Sequence, residues 1–123
     1  MTLKEKCAIL EDRIKRLQEI GLALSTEDDI NVIFELIMAE AKNITNADGR
    51  TLYMISDDGQ TMKFEIMQTD SMDIAQGGTT RVEIKIPPMQ LFDEEGNPNH
   101  SSIVTYSANT GKTVNIKDAY KEK

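Results

Sequence analysis

Ile103-Val104-Thr105-Tyr106-Ser107-Ala108-Asn109-Thr110-Gly111-Lys112-Thr113-Val114-Asn115-Ile116-Lys117-Asp118-Ala119-Tyr120 is the stretch on which the fold reading turns. Ser101 or Ser102 caps a helix of about two turns, because a serine hydroxyl accepts from the free N–H groups of a first turn. Gly111 stops it, since glycine takes the left-handed C-terminal conformation at no steric cost. Thr113, Val114, Asn115 and Ile116 then read as a short strand, and Asp118-Ala119-Tyr120 as its exit.

Working back from there, Pro87-Pro88 ends a strand in which Val82, Ile84 and Ile86 alternate with Arg81, Glu83 and Lys85. Between them lies a polar insert from Met89 to His100 whose Asp93-Glu94-Glu95-Gly96-Asn97-Pro98 reads as a loop. Earlier, Thr51 to Ile55 forms a strand. Asp57-Asp58-Gly59-Gln60 makes a tight hairpin turn, and Met62, Phe64, Ile66 and Gln68 alternate along the return strand. Thr69 to Thr79 is a loop with Gly77-Gly78 near its end. Before the first strand, Ile30, Ile33, Phe34, Ile37, Ala41 and Ile44 keep the helical period over residues 30–44. Glu27, Asp28 and Asp29 favour the positive start of that helix, and Asn46 with Asp48-Gly49 ends it. The order is helix, helix, three antiparallel strands, helix, strand. This is an α+β domain, divided into a leading helix over 1–24 and a domain over 25–123.

The leading helix has a different period. Leu3, Leu10, Leu17 and Leu24 recur every seven residues, with Cys7, Ile14 and Gly21 between them. A straight helix drifts about 20° per heptad against a strict seven-residue repeat, so this row resembles a coiled-coil seam. Lys6 faces Glu11 of a second copy in a parallel pair. Gly21 marks a bend or the end of the straight part. Ile9 and Ile20 lie off the seam and are placed to pack on the chain's own sheet. An amphipathic helix packed wholly within its own domain is the competing reading.

Composition excludes several classes. The 123 residues carry a net charge of −7, which opposes phosphate backbones and anionic membranes, so neither nucleic acid nor a membrane surface is expected as a partner. One cysteine permits no internal disulfide and fits a cytoplasmic setting. No apolar run approaches the ~20 residues of a membrane span, and Lys4, Glu5 and Lys6 interrupt any leader pattern. Without Trp and with seven Met, the interior relies on aliphatic and thioether side chains.

Reactive constellations are scarce. Thr110-Gly111-Lys112-Thr113 looks like the end of a phosphate loop. However, Tyr106 stands where that motif needs its first glycine, and the segment leaves a helix instead of opening one. His100 beside Asp93, Glu94 and Glu95 lacks a second strong ligand, so it reads as a loop residue. Cys7 reads as inert. No catalytic triad, paired carboxylates or dinucleotide fingerprint is present, and no enzymatic activity is expected of this segment.

Taken together, Ala47-Asp48-Gly49-Arg50-Thr51-Leu52-Tyr53, Asp57-Asp58-Gly59, Glu83-Ile84-Lys85-Ile86-Pro87 and the stretch quoted first resemble the GAF domain, a small-molecule sensor module of signalling proteins. The resemblance covers essentially the whole chain. Ser102, Val104 and Lys117 stand where the family often has Gly, Ala and Pro. It implies an antiparallel sheet with the N-terminal helices on one face, and C-terminal strands of the family that the chain lacks. It also implies a ligand pocket at Ile84, Ser102, Ile103, Val104, Thr105 and Tyr106, bordered by the loop from Thr69 to Thr79. The implied ligand is a cyclic nucleotide or another small molecule, with no metal. The implied partners are a second copy, paired through Leu3, Cys7, Leu10, Ile14, Leu17 and Leu24, and an effector domain such as a phosphodiesterase, cyclase or kinase. A module that binds no ligand and only pairs and spaces two effectors is the alternative.

Overall fold

A computed structural model describes residues 1–118 and 120. It is an α+β chain with α1 over Leu3–Thr26, α2 over Ile30–Thr45 and α3 over Ile103–Thr110. The strands are β1 (Gly49–Ile55), β2 (Thr61–Thr69), β3 (Ile74–Gly77) and β4 (Met89–Gln90). They form one antiparallel sheet in which β2 pairs with β1, β3 and β4. Among the described residues no helix is long and apolar enough to cross a membrane.

The helices begin and end where side chains satisfy their free backbone groups. Thr2 caps α1 in a reciprocal box with Glu5: the Glu5 N–H donates to Thr2 Oγ1 at 3.1 Å and the Thr2 N–H to Glu5 Oε2 at 2.8 Å. Gly21 does not end the helix, which continues to Thr26. The bonds around it carry the helix past one weak helix former. Asp29 caps α2 through the Asn31 N–H at 2.9 Å, and Asn46 closes it in the left-handed conformation.

Two compact units divide the chain: Met1–Leu52 with Glu65–Ile84, and Tyr53–Phe64 with Lys85–Lys123. In the first, α1 packs on α2, and α2 packs on a 3₁₀ turn over Gly78–Thr80. Glu35 of α2 makes that second contact. Its carboxylate accepts from the Thr79 N–H at 2.9 Å and from the Thr79 hydroxyl at 2.7 Å. Asp48 similarly accepts from the Ser71 N–H at 2.8 Å, fixing the turn that sends β2 into β3.

Asp70, at that turn, bonds the Lys42 ammonium and lies 3.3 Å from Arg50 Nη1. The Lys42 hydrogen bond, aided by the positive charge of Arg50, holds the Asp70 carboxyl below its ordinary value of 3.8. A carboxylate depressed in this way adds stability above its ordinary pKa and loses it as pH falls through the folded value. Asp70→Asn is therefore expected to melt lower at neutral pH and to show a shallower loss of stability below pH 3.8. Thermal melts across that range check this, and parallel curves for the two chains would remove Asp70 from the account.

Two strand assignments are corrected. Residues 82–86 form no strand, and β3, inside the segment read as a loop, pairs with β2 instead in the register Thr69↔Ile74 to Ile66↔Gly77. Asp73 adopts φ 52°, which closes a short turn and brings Ile74 directly back along β2. Residues 113–116 also form no strand; Val114 turns its side chain to the hollows beside α3. Ala119 of the expected Asp-Ala-Tyr exit lies outside the described residues. The polar insert is ordered by its own bonds. β4 pairs Met62↔Met89, and Asp93 Oδ1 accepts from the Glu95 and Asn97 N–H groups at 2.9 and 2.8 Å.

Candidate ligand site at the start of α3

The second unit holds the expected pocket helix. Ser102 is its N-cap. Ser102 Oγ accepts from the Thr105 N–H at 3.1 Å, and the Ser102 N–H reaches Thr105 Oγ1 at 3.4 Å. Gly111 ends the helix at φ 69°, with its N–H on the Ser107 carbonyl. Start and stop thus match the sequence reading. Asn109 anchors the helix from its inner side: Asn109 Nδ2 donates to the Leu91 carbonyl at 2.9 Å and to the Asn99 carbonyl at 3.2 Å. Its partners lie in the polar insert, well separated in sequence, so no local pattern marked it.

Two hollows flank the first turn of α3. One, of about 220 Å³, is lined by His100, Ser101, Ser102, Ile103, Tyr106 and Val114. The other, of about 420 Å³, is lined by Ile103, Val104, Ser107, Ala108 and Val114 from one side and Tyr53, Ile55 and Met62 from the strands. They share Ile103 and Val114. The larger is within the size range of small-molecule sites, and its wall is mostly apolar, as such sites are. Tyr53 is backed by Phe64 at a ring separation of 4.7 Å, and His100 meets Tyr106 edge-on at 5.1 Å. Both aromatic pairs limit how the rings can move.

Of the expected site residues, Ser102, Ile103, Val104 and Tyr106 line these hollows. Thr105 does not: its side chain is buried and completes the cap. Ile84 belongs to the first unit, where its Cδ1 lies against Gly77, and it lines neither hollow. The segment from Thr69 to Thr79 also lies in the first unit and contributes to neither lining. Tyr53, Met62, His100 and Val114 are additions that the sequence reading did not make.

The chemistry available is recognition. The cap engages the Thr105 N–H and leaves those of Ile103 and Val104 outside it, at the positive end of the helix dipole. Ser101, Ser102 and Ser107 add hydroxyls, and neither described lining includes a carboxylate. No family model matches the chain, and no solved structure matches it.

Proposed function

We propose that this chain is a small-molecule-sensing regulatory domain of the GAF type, non-catalytic and cytoplasmic. A compact polar or anionic ligand such as a cyclic nucleotide binds at the start of α3. The observation that carries this reading is the pair of adjoining hollows on the first turn of α3. They bring an apolar wall, a helix N-terminus and hydroxyl donors to one place. The sensor works as a homodimer through α1, whose heptad leucines face outward from their own chain. The helices relay ligand state to an effector, and the effect is limited to the ligand's differential affinity for the two states. Nucleic acid and membranes have no part in it.

Native mass spectrometry for a retained ligand, followed by thermal melts with cyclic adenosine and guanosine monophosphates, tests the site. A ligand at a hundredfold over its Kd stabilises by about 2.7 kcal/mol, which a melt detects readily. Ile103→Glu is expected to abolish that shift while leaving the circular dichroism unchanged, because Ile103 is exposed at the rim. A chain that retains no ligand and answers neither nucleotide would leave the alternative, a ligand-free pairing module, in its place.

A further inference from the structure

In the first unit α1 packs on α2, and a groove of about 490 Å³ runs between them, within the size range of small-molecule sites. Side chains four residues apart stack on one face of a helix. On α1 that spacing places Arg13 between Ile9 and Leu17, and all three line the groove. On α2 it places Glu40 one turn before Ile44, with Asn43 beside it. A charge thus stands within an apolar row on each side.

The two charges are opposite in sign, yet they do not meet. Asp12 and Arg16 also line the groove, and they neutralise each other through an ion pair of 3.0 Å. Among the described residues, Arg13 and Glu40 make no ion pair and no side-chain hydrogen bond, with each other or with any other group. The Asn43 amide is also without a hydrogen-bond partner among them. Glu40 is half-buried, so its carboxylate gives up part of its hydration with no counterion in return.

We propose that this groove is a second ligand site, and that it takes a free α-amino acid with a large apolar side chain, such as phenylalanine or leucine. The ligand carboxylate lies against Arg13, whose guanidinium offers it two parallel N–H donors. The ligand ammonium lies against Glu40 and Asn43, which offer oxygen acceptors. Its side chain covers Ile9, Leu17 and Ile44 and takes their apolar surface out of water. A fatty acid or a phosphate ester would leave Glu40 unmatched. A simple amine would leave Arg13 unmatched, and a hydrocarbon both. An α-amino acid carries the two charges on one carbon, so one end of a small molecule answers both walls. The site is separate from the α3 hollows, which belong to the second unit, and shares only Leu17 with the leucine row of α1. A ligand that touches both helices ties α1 to α2.

Titration of the whole chain with L-phenylalanine, followed by amide chemical shifts, tests this. A Kd no weaker than about 1 mM is expected, with shifts at residues 8–17 and 40–44. Phenethylamine lacks the carboxylate and 3-phenylpropanoate lacks the ammonium, and each is expected to bind about tenfold or more weakly. Arg13→Gln should weaken phenylalanine to the same degree and leave phenethylamine unchanged. Glu40→Gln should weaken phenylalanine and leave 3-phenylpropanoate unchanged. Neither side chain has a partner to lose, so both helices should persist, which far-UV circular dichroism checks. Binding weaker than that limit would overturn the inference, and so would a second copy's helix that fills the groove and excludes the probe. Shifts confined to residues 100–114 would place the amino acid at α3 and overturn it too. Variants that weaken all three probes alike would remove the charge matching on which it rests.

Discussion

Gly77→Ala is expected to unfold the first unit or come close to it. Gly77 ends β3 at φ 79° and ψ −173°, a conformation almost confined to glycine. A Cβ placed there would sit 2.0 Å from the Glu65 carbonyl oxygen and 3.1 Å from Ile84 Cδ1. The first is backbone in the neighbouring strand and cannot swing aside. The same residue holds its place from both sides: the Gly77 N–H donates to the Val82 carbonyl at 2.8 Å, and its carbonyl accepts from Thr80 Oγ1 at 2.7 Å. Relief would require β3 to leave β2. That would break the register from Thr69↔Ile74 to Ile66↔Gly77. The loss should exceed about 4 kcal/mol, the range reserved for such backbone conflicts. Urea unfolding checks it, and a loss under about 1 kcal/mol would show that the strand shifts freely. Gly59→Ala is the matched control. It also has positive φ, but its added Cβ meets nothing within 4 Å, so only the conformational penalty remains.

Gly77 also shows why part of this fold was legible in the sequence and part was not. Short-range signals read correctly. The Asp57-Asp58-Gly59 turn closes because Asp58 accepts from the Ser56 hydroxyl and the Gln60 N–H, partners two residues away. The Ser102 cap and Gly111 stop of α3 are equally local. The strand choice after β2 was not. Val82, Ile84 and Ile86 carry the alternation, yet Ile74-Ala75-Gln76-Gly77 takes the place beside β2. The deciding features are a left-handed Asp73, the Asp48 oxygens that grip Ser71, and the Glu35 carboxylate that grips Thr79 from 44 residues away. Alternation reports which residues suit a strand, not which segment reaches the open ladder first. At the site the same division holds. The local cap fixes the helix that brings Ser102, Ile103, Val104 and Tyr106 to the two hollows, whereas the buried role of Thr105, the Asn109 anchor and the strand side of the larger hollow depend on tertiary contacts.

Ile66→Ala is expected to cost about 3 kcal/mol, within the range for removing a buried isoleucine side chain beyond Cβ. Ile66 is 1% exposed and is the largest fully buried apolar side chain among the described residues. The described apolar core is small, with Met38, Met62 and Leu91 as the other buried hydrophobic members, so each carries a large share. Its Cδ1 lies 3.3 Å from where a Gly78 Cβ would stand, so the side chain fills the space beneath the turn that Glu35 clasps. Truncation would leave a void there, and a close-packed interior cannot fill it without moving the backbone that Gly77 fixes. Domains of this size have a total stability of about 5–15 kcal/mol, and a small core argues for the lower part of that range. The variant should therefore unfold at markedly lower urea with an unchanged slope. Ile66→Val, which removes a single methylene, should lose only about 1 kcal/mol. If alanine and valine cost the same, the site is not tightly packed and the clasp between α2 and the Gly78–Thr80 turn stands on its hydrogen bonds alone.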